Sequence, residues 1–183
     1  MKKTAMITFA LALVGTQALA QSAGGFKLIS AKRVTTSENA LESAEQKSMG
    51  KPSADRKTLS IPAKSARLVV HTGPDNDMLS FRIQGLRNPT LVVKPGAVLR
   101  ILFVNSDEDM FHNLRFGAGK APFPAKPGHA GTVGTADLPH EASGKLFGQE
   151  LVIKAPMKPG AYTYVCTIAG HAAAGMYGTL QVR

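Results

Sequence analysis

Three residues near the C-terminus carry side chains that soft metal ions prefer. Cys166, His171 and Met176 lie at equal spacing in Tyr164-Val165-Cys166-Thr167-Ile168-Ala169-Gly170-His171-Ala172-Ala173-Ala174-Gly175-Met176-Tyr177-Gly178. They offer a thiolate, an imidazole and a thioether, and sulfur donors combined with imidazole select copper. Gly170 and Gly175 permit the tight bends by which one loop could turn all three toward a point. Taken singly, each residue has an ordinary reading: a buried small hydrophobe, a surface imidazole, a core methionine. Cys-x4-His-x4-Met between two strands, in a chain with 1 cysteine, reads instead as a metal loop. Two His and one Cys in a trigonal plane with a weak axial Met make the blue-copper arrangement. One imidazole is missing and must come from elsewhere. His112, in Asp109-Met110-Phe111-His112-Asn113-Leu114, is the best candidate, because it follows a strongly apolar strand and could meet the C-terminal loop across the end of a sandwich. His71 ends an early strand and is next in line. His129 and His140 lie in an irregular stretch, and all three read better as exposed or locally bonded.

The chain of 183 residues suits one domain with a sizeable core. Its 18 Gly and 11 Pro make it turn-rich, which leans toward an all-β fold and excludes a coiled coil. The formal charge is +10. An acidic partner, an anionic membrane or nucleic acid would suit that excess, but no Arg-rich run or stacking motif points to nucleic acid. Met1-Lys2-Lys3, the apolar stretch Ala5 to Val14 and Ala18-Leu19-Ala20 read as a signal peptide over residues 1–20, with Gln21 the expected mature start. The apolar stretch is short of the roughly 20 residues that span a bilayer, and no later segment could span one. Export to the periplasm is therefore expected. There a lone thiol is a liability unless a metal holds it as thiolate, which fits the metal reading of Cys166.

The elements that must position these residues follow from pattern. Residues 21–57 read as an N-terminal extension. Phe26 to Ile29 suggests a short strand. Thr35 to Ser48 suggests one helix, with Thr35 and Glu38 as a capping box and Gly50 and Pro52 as its stop. From Thr58 the pattern turns to period two, and residues 58–183 form the main domain. Strands are expected at Arg67–His71, Met78–Ile83, Leu91–Val93, Val98–Val104, Phe111–Phe116, Phe147–Lys154, Ala161–Cys166 and Tyr177–Val182, with Gly73-Pro74-Asp75-Asn76, Pro95-Gly96 and Pro159-Gly160 as turns. Residues 117–145 read as a long irregular connection. The pattern predicts an all-β antiparallel sandwich, with no internal repeat.

Several stretches also resemble a known family. Arg87-Asn88-Pro89-Thr90-Leu91, Pro95-Gly96-Ala97, Gly160-Ala161-Tyr162-Thr163-Tyr164-Val165-Cys166 and Gly170-His171-Ala172-Ala173-Ala174-Gly175-Met176-Tyr177-Gly178 resemble the cupredoxins, the type 1 blue copper proteins, and within them rusticyanin and its relatives. The resemblance runs from about Ala66 to Arg183. It implies a Greek-key β-sandwich, preceded by a helical extension like rusticyanin's, and one copper ion cycling between Cu(I) and Cu(II). His112, Cys166 and His171 match the strong ligand positions and Met176 the axial one. Asn113 departs from rusticyanin's serine and matches azurin, plastocyanin and auracyanin, where the Asn tethers the ligand loop. The implied function is carriage of single electrons between redox proteins, such as a c-type cytochrome or a terminal oxidase, by a monomer with an apolar patch around His171. The basic charge would favour an acidic docking face. Enzyme chemistry is not expected, since multicopper oxidases flank the cysteine with His and here Val165 and Thr167 flank it. A copper carrier or store is the alternative; it would use exposed Met and His clusters, and no Met-x-Met occurs.

Overall fold

The computed structural model describes residues 22–183. The segment predicted as a signal peptide, 1–20, lies outside them. In chain order the elements are β1 (Ser22–Ala23), β2 (Phe26–Thr36), α1 (Glu38–Glu45), β3 (Lys51–Pro52), β4 (Thr58–Ile61), β5 (Ser65–Thr72), β6 (Phe81–Ile83), β7 (Leu86–Arg87), β8 (Thr90–Val93), β9 (Val98–Asn105), β10 (Arg115–Gly117), β11 (Thr132–Gly134), β12 (Leu146–Lys154), β13 (Gly160–Val165) and β14 (Tyr177–Val182). They form two sheets, ordered β1-β2-β12-β9-β5-β6-β7 and β11-β10-β13-β14-β8-β4-β3.

The period-two stretches become strands because one face of each can be buried. In β9, Leu99, Ile101 and Phe103 point into the core while Arg100 stays exposed. Phe26, Phe81, Phe103, Phe116 and Tyr164 are fully buried between the sheets. Phe81 packs at 6.0 Å from Phe103 and 5.6 Å from Tyr164, centroid to centroid. The Tyr164 hydroxyl donates to the Pro89 carbonyl at 2.6 Å. This core continues through the end of β13 to include Cys166 and Met176.

The all-β sandwich stands as expected, with one short helix, but five details differ. The sheets are mixed: β5 runs parallel to β9, and β8 runs parallel to both β4 and β14. The chain leaves β5, crosses to the second sheet at β8 and returns as β9, so the two neighbours point the same way. The strand expected at 26–29 extends through Thr36 and pairs with β12 along its length, so Thr35 is a strand residue. The helix therefore starts at Glu38, capped by Ser37, whose hydroxyl accepts from the Ala40 N–H at 3.4 Å. The strand expected at Phe111–Phe116 shrinks to Arg115–Gly117, because the preceding residues form a loop held by one bridge, His112 to Leu138. The connection 117–145 contains β11, which pairs with β10.

Candidate metal centre

The loop from β13 to β14 carries Cys166, His171 and Met176. Two hydrogen bonds draw it closed: the Cys166 N–H donates to the Met176 carbonyl at 3.0 Å and the Met176 N–H to the His171 carbonyl at 2.9 Å. Gly170 at φ 87° and Gly175 at φ 106° supply its left-handed bends. His112 sits on the loop from β9 to β10, fixed by paired backbone bonds with Leu138 of 3.1 and 2.8 Å. Two loops distant in sequence thus meet at one end of the sandwich.

Four donor atoms converge there. Nδ1 of His112 and Nδ1 of His171 are 3.2 Å apart. The Cys166 Sγ lies 3.5 Å from Nδ1 of His171 and 3.9 Å from Nδ1 of His112. The Met176 Sδ lies 3.2 Å from Nδ1 of His112. The thiol and the two imidazole donors fall within 4.8 Å of one another. Cys166, His112 and Met176 are fully buried, and His171 keeps 7% of its surface exposed.

The electrostatics suit a cation. Burial pushes the His112 imidazolium pKa down to about 4, against the pull of the Asp107 carboxylate, and burial also lowers that of His171. Both rings are neutral at pH 7, with lone pairs to give. Burial raises the Cys166 thiol to about 11, although the backbone N–H groups of Asn113 and Ile168 oppose it. Without a metal this cysteine stays protonated at neutral pH; a bound metal would displace that proton. One thiol, two neutral imidazoles facing each other through Nδ1 and one thioether match the donors of a type 1 copper site.

The relatives agree. Residues 69–183 match the model of the copper binding proteins of the plastocyanin/azurin family. The chain belongs to that family. It is 34% identical over 140 residues to rusticyanin of Acidithiobacillus ferrooxidans, covering 75% of this chain and 88% of that one. To rusticyanin of Acidithiobacillus ferridurans it is 32% identical over 140 residues, covering 75% and 73%. A solved structure of rusticyanin from Thiobacillus ferrooxidans superposes with a TM-score of 0.75 at 29% identity, over 83% of this chain and 97% of that one. Reduced rusticyanin superposes at 0.75 and 28% identity, over 83% and 100%. As a cupredoxin, this chain takes copper as its cofactor.

The structure brings together all four predicted site residues and leaves the other histidines out. His71 pairs with Glu45 of α1 at 3.0 Å. His140 meets the Glu141 carbonyl through Nδ1 at 2.8 Å. His129 pairs with Asp137 at 3.0 Å. Asn113 ties the two ligand loops: its Oδ1 accepts from the Thr167 N–H at 2.8 Å, while its Nδ2 donates to the Thr167 hydroxyl at 2.9 Å and to Asp137 at 2.7 Å. Three supporting residues escaped the sequence reading. Asn88 donates to the Gly175 carbonyl at 3.0 Å. Asn105 donates to the carbonyls of Met110, Leu138 and Pro139. Asp107 meets the far side of His112. Asn88 lies in a stretch that carried the family resemblance; the other two gave no signal, because their partners come from loops.

Proposed function

We propose that the protein is an exported electron carrier in which His112, Cys166 and His171 would be the strong ligands of one copper ion and Met176 a weaker one. The observation that carries this reading is the convergence of those four donors at the buried end of a stiff sandwich. Copper supplies the exchange of one electron. The protein's part is to keep the donors where they are. Cys166 and Met176 flank strands β13 and β14, and the Asn113–Thr167 bonds lock the second loop to the first. Ligands so held move little when the metal charge changes, which keeps the reorganisation small.

His171 is the proposed electron port. It alone of the four reaches the surface, and its neighbours Ala169, Gly170, Ala173 and Ala174 are exposed and small. A partner can therefore approach the ring edge closely. The partner is a redox protein such as a c-type cytochrome or a terminal oxidase, and the carrier acts as a monomer in the periplasm after loss of residues 1–20. No helix among the described residues is long and apolar enough to cross a membrane.

The charge distribution refines the docking face. Of the 12 acidic residues, all but Asp55 and Glu150 lie on α1 or on the loops after β5, β9 and β11, which belong to the end of the first sheet where Thr36, Thr72 and Asn105 lie. Lys27, Lys64, Lys94, Arg100 and Lys154 lie toward the opposite end. Basic groups nevertheless flank the port: the Ala125 carbonyl, next to the exposed Lys126, accepts from the Gly170 N–H at 2.7 Å, and the exposed Arg87 precedes Asn88, which donates to the Gly175 carbonyl, while Arg82 and Arg87 neutralise Asp77, so an acidic docking face on the partner suits the metal end.

The absorption spectrum of the copper-loaded protein tests the reading. An intense thiolate-to-copper band is expected, lost in Cys166→Ser. A colourless copper-loaded protein would point to the carrier or store instead.

A further inference from the structure

Asp107 stands two residues beyond the end of β9, in the loop that leads to His112. Its side chain is 2% exposed, and its only ion-pair contact among the described residues is His112. The carboxylate is held on both oxygens. Oδ1 accepts from the N–H groups of Asp109 and Met110 at 2.7 and 2.8 Å. Oδ2 lies 3.2 Å from Nε2 of His112. The backbone is pinned as well: the Asp107 N–H donates to Oδ1 of Asn105 at 3.1 Å, and its carbonyl accepts from the Glu141 N–H at 2.8 Å. The aim of the carboxylate is therefore over-determined by the loop.

We propose that Asp107 is a positioning residue for the metal centre: it holds His112 in the tautomer whose Nδ1 is free to bind copper, and its buried negative charge favours the oxidised metal and so lowers the reduction potential. A neutral imidazole carries one N–H. The carboxylate accepts only, so that proton sits on Nε2 and the lone pair sits on Nδ1, the atom that faces Cys166, His171 and Met176. The pairing of a carboxylate with the outer nitrogen of a ligating histidine also makes the ring a stronger donor. A full negative charge one imidazole ring away from the metal, shielded from water, interacts more strongly with the higher metal charge than with the lower. A plain turn-capping role would need only the two bonds at Oδ1 and would leave Oδ2 free to face solvent. Instead Oδ2 is buried against the ligand.

The proposal rests on His112 being a ligand, and its test separates the two. In the metal-free wild-type protein, nitrogen NMR reports the His112 tautomer without any copper present. The proton is expected on Nε2; finding it on Nδ1 overturns the proposal, whatever the copper spectrum shows. In the copper-loaded protein, Asp107→Asn keeps an oxygen for the Asp109 and Met110 N–H groups but removes the charge and the acceptor. The ratio of Cu(II) to Cu(I) affinity is expected to fall about tenfold, which raises the potential by about 59 mV, with the thiolate band retained. An unchanged potential with an intact band reduces Asp107 to a turn cap. Should Asp107→Asn fail to fold, the wild-type tautomer still decides.

Discussion

Asn113 and Thr167 are 54 positions apart in the chain, yet the Asn113 side chain holds them in contact. A serine at 113 is too short to keep both the Thr167 and the Asp137 bonds. Asn113→Ser is therefore expected to cost about 1–3 kcal/mol of stability while retaining copper, and to raise the potential as the cysteine loop loosens. Voltammetry and melting of both proteins at one pH check this; equal potentials would reduce Asn113 to a stability tether. His112→Ala should leave a hole beside Cys166 that added imidazole fills, restoring the colour; His71, bound to Glu45 on the outer side of the sheet, cannot substitute. The types of the four donors were legible in the chain itself. Asp107 was not, because an acid five residues before a histidine has no periodic meaning, and only the turn at Asp109–Met110 brings the two together.

Helix α1 lies on the outer face of the first sheet, where Leu41 packs with Val69, Val104 and Leu146 in a cluster separate from the main core. Leu41→Ala should cost about 2 kcal/mol, the low end for a buried leucine, and leave the visible spectrum unchanged, since none of its neighbours is a ligand. A changed spectrum would show that the helix supports the site. Gly178 in β14 has the opposite character. A Cβ there would overlap the Tyr164 ring, and Tyr164 anchors β13 just before Cys166. Gly178→Ala should lower both the melting temperature and the copper affinity, by overpacking of about 1–3 kcal/mol; calorimetry with and without copper measures both. The strand β2 shows why an element can hide. It pairs along one edge of β12, but most of its residues are exposed, so no apolar alternation marks it, and a helix signal at Thr35 competes with its end.

Across the whole molecule, two charge effects follow. Metal-free stability should be greatest near neutral pH. His112 has a folded pKa of about 4, below its ordinary value near 6.5, so the unfolded chain binds more protons between those limits and stability falls as pH drops through that window, by roughly 3 kcal/mol at most. Cys166 has a folded pKa of about 11, above its ordinary 9.0, so the unfolded chain loses its proton first and stability also falls as pH rises from about 9 to 11. Thermal melts of metal-free protein across pH test both limbs; a flat acid limb would mean His112 is not buried neutral. The basic excess of the chain, +10, gives the second effect. Electron exchange with a small anionic complex should slow as salt is added, and with a small cationic complex it should quicken, because the net charge is positive and Lys126 and Arg87 stand beside the His171 loop. The reverse pattern would assign the docking face to a basic partner.

The chain alone determined the chemistry and the class of fold. Cys166, His171 and Met176 lie close in one loop, so their types and spacing state the donor set without any long-range contact. Alternating burial also writes most strands locally, as Tyr177–Val182 illustrates by matching the observed β14. Only the tertiary structure decided which histidine completes the set, because His112 meets Cys166 through the crossing of the chain between sheets. It also decided the parallel neighbours, the role of Asp107 and the place of the charges. A net charge is a sum over residues, and its direction depends on where the strand ends lie in space.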